Sequence, residues 1–328
     1  MFTSKQLPTR FVLSFASRWL ALGGLTAATV LIAQRLVSID LAVPFLPIAT
    51  VGTAVAFYLG FKNNSSYDRY WEARKIWGGV VNTSRTWANQ VLMYAGKDPA
   101  MQKELVRRQI AWAHALRLNL RKKSRYEGSE FQERNAPHIR QDWDGQMAPL
   151  LDPAELAEIS AMRNPVTHLA RIQGQRLKEA LEVGTIDLFH QIELGAQLTE
   201  LYALQGKCER IKNTPFPRQY ANFSRLFVWV FIILVPVGLL DVFGLHGAGP
   251  LTVGLAVKGV LLMASNALIS WMFMTMELIG DGSEDPFERG VNDVCMTALC
   301  LTIQSDLLEM IGEEPVEPLE VVPPGILF

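Results

Sequence analysis

Five side chains that could line an ion pathway lie on one face of the second hydrophobic stretch of the chain. At 100° per residue on a helix they fall within about 80° of one another: Thr50, Thr53, Phe57, Phe61 and Asn64. Threonine hydroxyls and an asparagine amide can contact water and ions, and phenylalanine rings can form a constriction, as in a channel pore. Small and polar side chains are also typical of contacts between membrane helices. Periodicity alone therefore leaves a pore lining and a packing face open.

A second group of possible ligands lies between Asp281 and Asp293, where five side chains are acidic. Carboxylate and amide oxygens are the ligands that Ca²⁺ prefers, which makes Asp285, Asn292 and Asp293 candidates for a calcium site. The competing interpretation is a solvated hinge whose carboxylates pair with basic residues of the preceding region. We favour the hinge, and we predict no metal and no cofactor.

The sequence contains no catalytic motif. Its five histidines are scattered, and no His-Glu-x-x-His pair, Cys-x-x-Cys pair, P-loop or Gly-x-Ser-x-Gly elbow occurs. We expect the three cysteines to be reduced packing residues: Cys208, Cys295 and Cys300. The chain is therefore predicted not to be an enzyme.

Four hydrophobic stretches position these groups. Each is long enough to cross a bilayer as a helix, and together they are Val12–Ile39, Leu41–Phe61, Leu226–Leu245 and Leu251–Met276. The alternative is four buried helices of a soluble all-α protein, but such helices carry a polar stripe that these mostly lack. The pattern predicts an all-α membrane protein with four transmembrane helices and a large helical region outside the membrane.

The distribution of charge predicts the topology. The net charge of −1 conceals +3 in residues 1–61, +7 in 62–225 and −11 in 276–328. The links Ser38–Ala42 and His246–Pro250 contain no lysine or arginine, so by the positive-inside rule they face outward. Both termini and the basic central region then lie in the cytoplasm of a multi-pass protein of the inner membrane. The near-neutral total also argues against a nucleic-acid partner.

Four segments are predicted along the chain. Residues 1–61 hold the N-terminal segment and the first two membrane helices, 62–225 a cytosolic helical region, 226–278 the third and fourth membrane helices, and 279–328 an acidic cytosolic segment. The acidic segment is expected to wrap the basic region and offset its charge. Helices are predicted over Asn64–Tyr94, Pro99–Lys123, Asp152–Ser160, Pro165–Leu181 and Asp187–Ile211. No turn signal separates Phe57 from Trp77, so one long helix is expected to leave the membrane and continue.

Two long motifs resemble a known family. The first runs through Leu59-Gly60-Phe61, Asn63-Asn64-Ser65 and Tyr67-Asp68-Arg69-Tyr70-Trp71-Glu72-Ala73-Arg74, and the second is Cys208-Glu209-Arg210-Ile211-Lys212-Asn213-Thr214-Pro215-Phe216-Pro217. In these residues the chain resembles the bacterial branch of the bestrophin channels. The resemblance implies a homopentamer in membrane lipid, with four membrane helices per subunit around one central pore. It also implies a hydrophobic neck on the second membrane helix and a cytosolic aperture.

Carried over by position, the resemblance places the neck at Thr53, Phe57 and Phe61, with Thr50 and Asn64 also lining the pore. It places the aperture at Ile192, with Leu188 one turn earlier as the second choice. The family usually has an aliphatic residue where Thr53 stands, so the outer ring of the neck is expected to be more easily wetted.

The permeant ion is the open part of this prediction. The +7 central region favours anions by concentrating them, whereas Asp40 and Asp241 near the outer links favour cations. We favour chloride slightly, with a sodium-conducting channel of the same architecture as the alternative. A secondary transporter is the alternative of another class, but the inverted repeats with broken helices typical of transporters do not stand out in the sequence.

Overall fold

The computed structural model describes residues 9–37, 40–96, 98–122, 133, 136–137, 139–246, 252–288, 290, 292–321 and 327. Helices are the only regular secondary structure in this part of the chain, which confirms the predicted all-α class. We label them α1 (Thr9–Leu36), α2 (Phe45–Tyr94), α3 (Pro99–Leu120), α4 (Trp143–Met147), α5 (Pro153–Ser160), α6 (Pro165–Glu182), α7 (Leu188–Asn213), α8 (Arg218–Val242), α9 (Val253–Ser283) and α10 (Met296–Met310).

Four of these helices, α1, α2, α8 and α9, are long and apolar enough to cross a membrane. This confirms the four predicted spans, with ends that move by up to eight residues apart from the continuation of α2. The single helix predicted across the second membrane exit is also confirmed, because α2 continues for 50 residues without a break. The helices predicted in the central region begin and end within a few residues of their expected positions. Helices α4 and α10 are absent from the sequence-based predictions.

The chain divides into two compact units, each assembled from segments that are distant in sequence. We call Ser4–Asp68 with Pro215–Glu284 the span unit, and Arg69–Thr214 with Asp285–Phe328 the core unit. The span unit contains the four candidate membrane helices, including the first half of α2.

The span unit is held together by close contacts between its helices. Helix α1 packs along α9, where a Cβ added to Gly23 would lie 2.8 Å from the Cα of Ala267. In the same seam the Asn266 side chain donates a 2.7 Å hydrogen bond to the Gly23 carbonyl. Small residues that let helix backbones approach, joined by polar side chains across the contact, are typical of membrane helix packing.

The core unit buries large aromatic and aliphatic side chains. Helix α3 packs against α6, α10 and α4, and three fully buried tryptophans contribute to the core: Trp77, Trp87 and Trp112. Two acidic side chains of the C-terminal segment form three ion pairs in this unit, all with basic residues of the central region. Glu313 pairs with Arg107 at 2.8 Å and with Lys103 at 3.5 Å, and Asp306 pairs with Arg85. The expectation that this segment offsets the basic region is confirmed for these residues.

Candidate functional site

The first half of α2 presents two different faces. The five predicted pore-lining residues are all exposed in the single chain, and the Phe57 and Phe61 side chains are 77% and 59% exposed. On the opposite face of the same helix, Ile48, Val55 and Leu59 are buried in the apolar core of the span unit. The structure therefore brings Thr50, Thr53, Phe57, Phe61 and Asn64 onto one free face.

Close packing on the opposite face fixes the rotation of α2. A Cβ added to Gly52 would lie 2.6 Å from the Phe231 ring of α8, so only glycine fits there without a shift of the ring. Ile48 lies in a similar contact beside Gly238 of α8. Because α2 is held on this side, the stripe that carries Phe57 faces away from the bundle.

The two threonines of the stripe use their hydroxyl protons within the helix. The Thr50 hydroxyl donates to the Leu46 carbonyl and the Thr53 hydroxyl to the Ala49 carbonyl, both at 3.0 Å. A threonine hydroxyl has one proton and two lone pairs, so these oxygens offer only acceptor capacity to a water or an ion. The surface of α2 at Thr53 is therefore polar, unlike the surface at an aliphatic side chain.

The two phenylalanines have different neighbours. The Phe61 ring centroid lies 5.8 Å from that of Tyr220, which in turn stacks on Tyr58 at 5.8 Å. Phe57 has no aromatic neighbour among the described residues. Rotation of the Phe61 side chain therefore involves an aromatic cluster, whereas Phe57 moves independently of it.

A buried charged cluster lies next to the predicted neck residue Phe61 and was not identified from the sequence. Lys62 follows Phe61, yet its side chain is fully buried and its Nζ lies 2.7 Å from Oε1 of Glu277 on α9. Ser224 of α8 donates a 2.6 Å hydrogen bond to the other carboxylate oxygen of Glu277. Glu284 lies 3.9 Å from Lys62 and 3.1 Å from Arg218. A signal existed, since Lys62 and Glu277 each stand just past the end of an apolar stretch.

The predicted aperture residues lie at the start of α7 in the core unit. Ile192 is 61% and Leu188 is 55% exposed, so both are available to line a passage. Asp187 caps this helix by accepting a 2.8 Å hydrogen bond from the His190 amide.

A tyrosine at the end of α2 holds the same turn of α7. The Tyr94 ring stacks on His190 with centroids 4.2 Å apart, and its hydroxyl donates to the Glu193 carboxylate. That hydrogen bond, with burial and the negative charge of Glu193, raises the pKa of Tyr94 above its usual value. Tyr94 and Glu193 were not identified from sequence, because their contact joins residues far apart in the chain.

The calcium candidates form a turn. Oδ1 of Asp293 accepts hydrogen bonds from the amides of Phe287 at 2.7 Å and Val294 at 2.6 Å. Phe287 is fully buried and has a φ of 78°, a left-handed conformation that the bond to Asp293 helps to hold. Within the described part of the chain, which includes Asp285 and Asp293, no group of three or more His, Cys, Asp or Glu side chains is suited to hold a metal. The turn is largely buried, and the Asp293 carboxylate is used by its backbone amides.

The acidic residues Asp40 and Asp241, near the links between the paired membrane helices, both lie close to one histidine. His246 lies 3.1 Å from Asp40 and 3.8 Å from Asp241, and Gln34 donates a 2.7 Å hydrogen bond to Asp40. The hydrogen bond from Gln34, with one from the Ala42 amide, holds the pKa of Asp40 below its usual value. The remaining residues of the second link, 247–250, lie outside the described part.

The cysteines lack the properties of a nucleophile. All three are buried and free, and burial raises the pKa of Cys208 to about 12 and that of Cys300 to about 11. A thiol with so high a pKa holds its proton at neutral pH and is a packing residue rather than a reactive one.

Comparison with known proteins identifies relatives over most of the chain. The family profile described as "Bacterial/Fungal Bestrophin protein" matches residues 5–309. The voltage-dependent anion channel-forming protein YneE of Escherichia coli K12 is 31% identical over 277 residues, which cover 84% of this chain and 80% of that protein. A protein of the same description from Mesorhizobium japonicum is 29% identical over 88% of this chain and 82% of its own length.

A solved structure of a bestrophin homolog is also similar to this chain. The crystal structure of a bacterial bestrophin homolog from Klebsiella pneumoniae superposes with a TM-score of 0.75 at 25% sequence identity. The match covers 90% of this chain and 98% of that one.

Proposed function

The chain belongs to the bacterial and fungal bestrophin family, and we propose that it forms a homopentameric channel for small monovalent ions in the inner membrane. The fold is that of a bestrophin subunit, with four candidate membrane helices. The two outward links, the cytoplasmic termini and the absence of enzymatic activity belong to the same proposal.

One observation carries this proposal: an exposed stripe of threonine, phenylalanine and asparagine on a helix whose other face is buried. An asparagine amide facing lipid would be costly, because hydrocarbon offers it no hydrogen-bond partner. Thr50 and Thr53 already donate within the helix, and a water-filled passage between copies of the chain would hydrate their remaining lone pairs and the Asn64 amide. Five copies of Phe57 and Phe61 would then form a constriction that excludes water until the side chains or the helix rotate.

The neck is tested by removing its rings. Planar bilayers containing the purified Phe57→Ala/Phe61→Ala variant are expected to carry a current at least about tenfold above wild type, because a wider polar passage stays wetted. Val51→Ala, an exposed apolar position on α2 outside the stripe, is the matched control and leaves the current unchanged. An unchanged current in the double variant would reject the neck assignment.

The aperture is proposed at Ile192, with Leu188 as the second choice. Both side chains are exposed on the first two turns of α7, and Tyr94 and Asp187 hold that part of the helix. Ile192→Ala is expected to alter unit conductance more than Leu188→Ala. The reverse order would move the aperture one turn earlier.

Chloride is the favoured ion, because the similar proteins of Escherichia coli and Mesorhizobium japonicum are named as anion channel-forming proteins. A monovalent cation such as sodium is the second candidate, favoured by a specific observation. The hydroxyl oxygens of Thr50 and Thr53 present lone pairs, which suit a cation or water better than an anion. Reversal potentials in a salt gradient give the sign directly.

Two measurements address the assembly and the mode of transport. Native mass spectrometry of the detergent-solubilised protein is expected to give five subunits, and a smaller number would contradict the pentamer. Single-channel steps and passive flux are expected, whereas saturable, coupled uptake would indicate a secondary transporter.

A further inference from the structure

Lys62 is the most unusual side chain of the span unit. It stands next to Phe61 on α2, but its ammonium group is fully buried between α8 and α9. A buried ammonium needs a charged partner and further hydrogen bonds, since desolvation costs several kcal/mol. Glu277 supplies the charge at 2.7 Å, and Ser224 orients that carboxylate at 2.6 Å. The cluster therefore joins three helices at one point.

Among the described residues, Lys62 is the charged side chain that α2 contributes to the contact with Glu277. The charged groups at this end of α9 are Glu277 and Asp281, with Glu284 just past its last residue, and those at the same end of α8 are Arg218 and Arg225. Arg218 pairs with Glu284 and Arg225 with Asp281, so the α8–α9 seam is largely neutralised without α2. Glu277 is the carboxylate left for Lys62.

Because Lys62 is adjacent to Phe61, the buried pair also restricts where the Phe61 side chain points. Adjacent residues on a helix point about 100° apart, so holding one side chain in the bundle fixes where the next one points. Any rotation of α2 that moves Phe61 also draws Lys62 out of its buried contact with Glu277. Breaking a buried pair is costly, which sets a threshold for such a rotation.

We propose that the Lys62–Glu277 pair, oriented by Ser224, is a positioning device that keeps the Phe61 ring in the closed neck. The proposal rests on the proposed channel function and names the residues that regulate its constriction. Lys62 acts through Phe61 and is not itself in the ion pathway.

The first test removes both charges together in the full-length protein. Lys62→Met/Glu277→Gln leaves no uncompensated buried ion and keeps an acceptor for Ser224. Single-channel records are expected to show about a tenfold rise in open probability, because the closed state loses its contact. Unit conductance and reversal potential stay at wild-type values, since the pore lining is unchanged. If the pair only stabilised the fold, its removal would not raise the open probability while leaving unit conductance and reversal potential unchanged.

Lys258→Met is the matched control, because it removes an exposed lysine from α9 of the same unit. Its open probability is expected to equal that of wild type. A folded double variant with wild-type open probability overturns the proposal.

The second test needs no current. Phe61→Cys is introduced into the wild-type and the Lys62→Met/Glu277→Gln backgrounds, where the three natural cysteines are buried. The rate of labelling by a charged, water-soluble thiol reagent is expected to differ about tenfold between the backgrounds. Equal rates overturn the proposal. If Phe57→Ala/Phe61→Ala carries no more current than wild type, the proposed function fails while labelling still decides the role of the pair.

A milder variant keeps the proposal falsifiable if the double variant does not fold. Ser224→Ala removes only the 2.6 Å hydrogen bond to Glu277 and leaves the ion pair in place. The labelling rate at Phe61→Cys is expected to change about threefold, in the direction of the double variant. An unchanged rate in folded Ser224→Ala protein overturns the proposal.

Discussion

The two units of the chain differ in the apolar surface that they expose, and each offers an ion pair for comparison, one buried and one exposed. The span unit buries the Lys62–Glu277 ion pair and exposes large apolar side chains such as Leu25. The core unit exposes the Arg85–Asp306 pair and buries apolar side chains such as Leu116. One physical rule accounts for both, because each unit places on its surface the groups that its own solvent accepts. Apolar surface that would be a liability in water is the expected surface of a helix in a bilayer.

The difference also separates two roles of an ion pair. An exposed pair in water contributes little, because solvent and salt screen both charges. A buried pair is costly to break, and its geometry specifies one packing of the helices around it. We therefore expect the buried Lys62–Glu277 pair to fix the packing of its helices, and the exposed pairs of the core unit to have a small effect on stability.

The largest expected effect comes from breaking the buried pair on one side. Lys62→Met leaves Glu277 as an unpaired buried carboxylate, and we expect a loss of about 3–5 kcal/mol of unfolding free energy. Arg85→Met in the core unit is the comparison, and its loss is expected to be at most about 1 kcal/mol. Thermal unfolding in detergent measures both. Equal losses of unfolding free energy in the two variants would show that the buried and the exposed pair contribute equally to stability.

The next prediction compares a buried leucine of the core unit with an exposed leucine of the span unit. Leu116→Ala creates a cavity in the core unit and is expected to cost about 2–5 kcal/mol. Leu25→Ala in the span unit changes an exposed side chain and is expected to cost less than about 0.5 kcal/mol in detergent. A large loss for Leu25→Ala would show that its surface is buried in the assembly.

A pH effect of intermediate size comes from a polar group buried in the core unit. Burial, followed by the charge of Arg117, lowers the pKa of His114 to about 3. The unfolded chain therefore takes up this proton first as the pH falls below about 6.5. The contribution of His114 to the free energy of unfolding is therefore fully present above about pH 6.5. It falls as the pH is lowered towards 3, by up to about 1.4 kcal/mol per pH unit.

The variant that checks this effect is His114→Gln, which cannot titrate. Its unfolding temperature is expected to fall less than that of wild type between pH 7 and pH 4.5. Gln173→Met, at a buried polar position of the same unit that has no titratable group, is the control and keeps the wild-type slope. An unchanged slope in His114→Gln would assign the acid sensitivity to other groups.

The smallest expected effect concerns the acidic C-terminal segment. Glu313 is partly buried; although burial would raise the pKa of Glu313, Arg107 and Lys103 lower it below its usual value. Glu313→Gln is expected to cost about 0.2–1 kcal/mol, with a smaller difference at high salt. Chemical denaturation at low and high salt gives this comparison. A salt-independent loss would point to packing rather than charge.

The sequence predicted the helical class, the four spans and the continuity of α2, because helical periodicity and apolar length are local properties. It also placed the stripe from Thr50 to Asn64 on one face, which needs only the geometry of a helix. Helix α10 was not predicted, since its 15 residues are anchored by packing on α3 rather than by a capping side chain.

The tertiary structure alone decided which face of α2 is free and what holds it. Whether Phe57 is exposed depends on Phe231 and Gly238 of α8, which occupy the other side. The contact of Lys62 with Glu277 joins residues 215 positions apart, and no local pattern specifies such a pairing. The contact of Tyr94 with Glu193 is of the same kind. Local spacing fixes direction on a helix, but the partner of a buried charge is fixed only when distant helices pack together and exclude water.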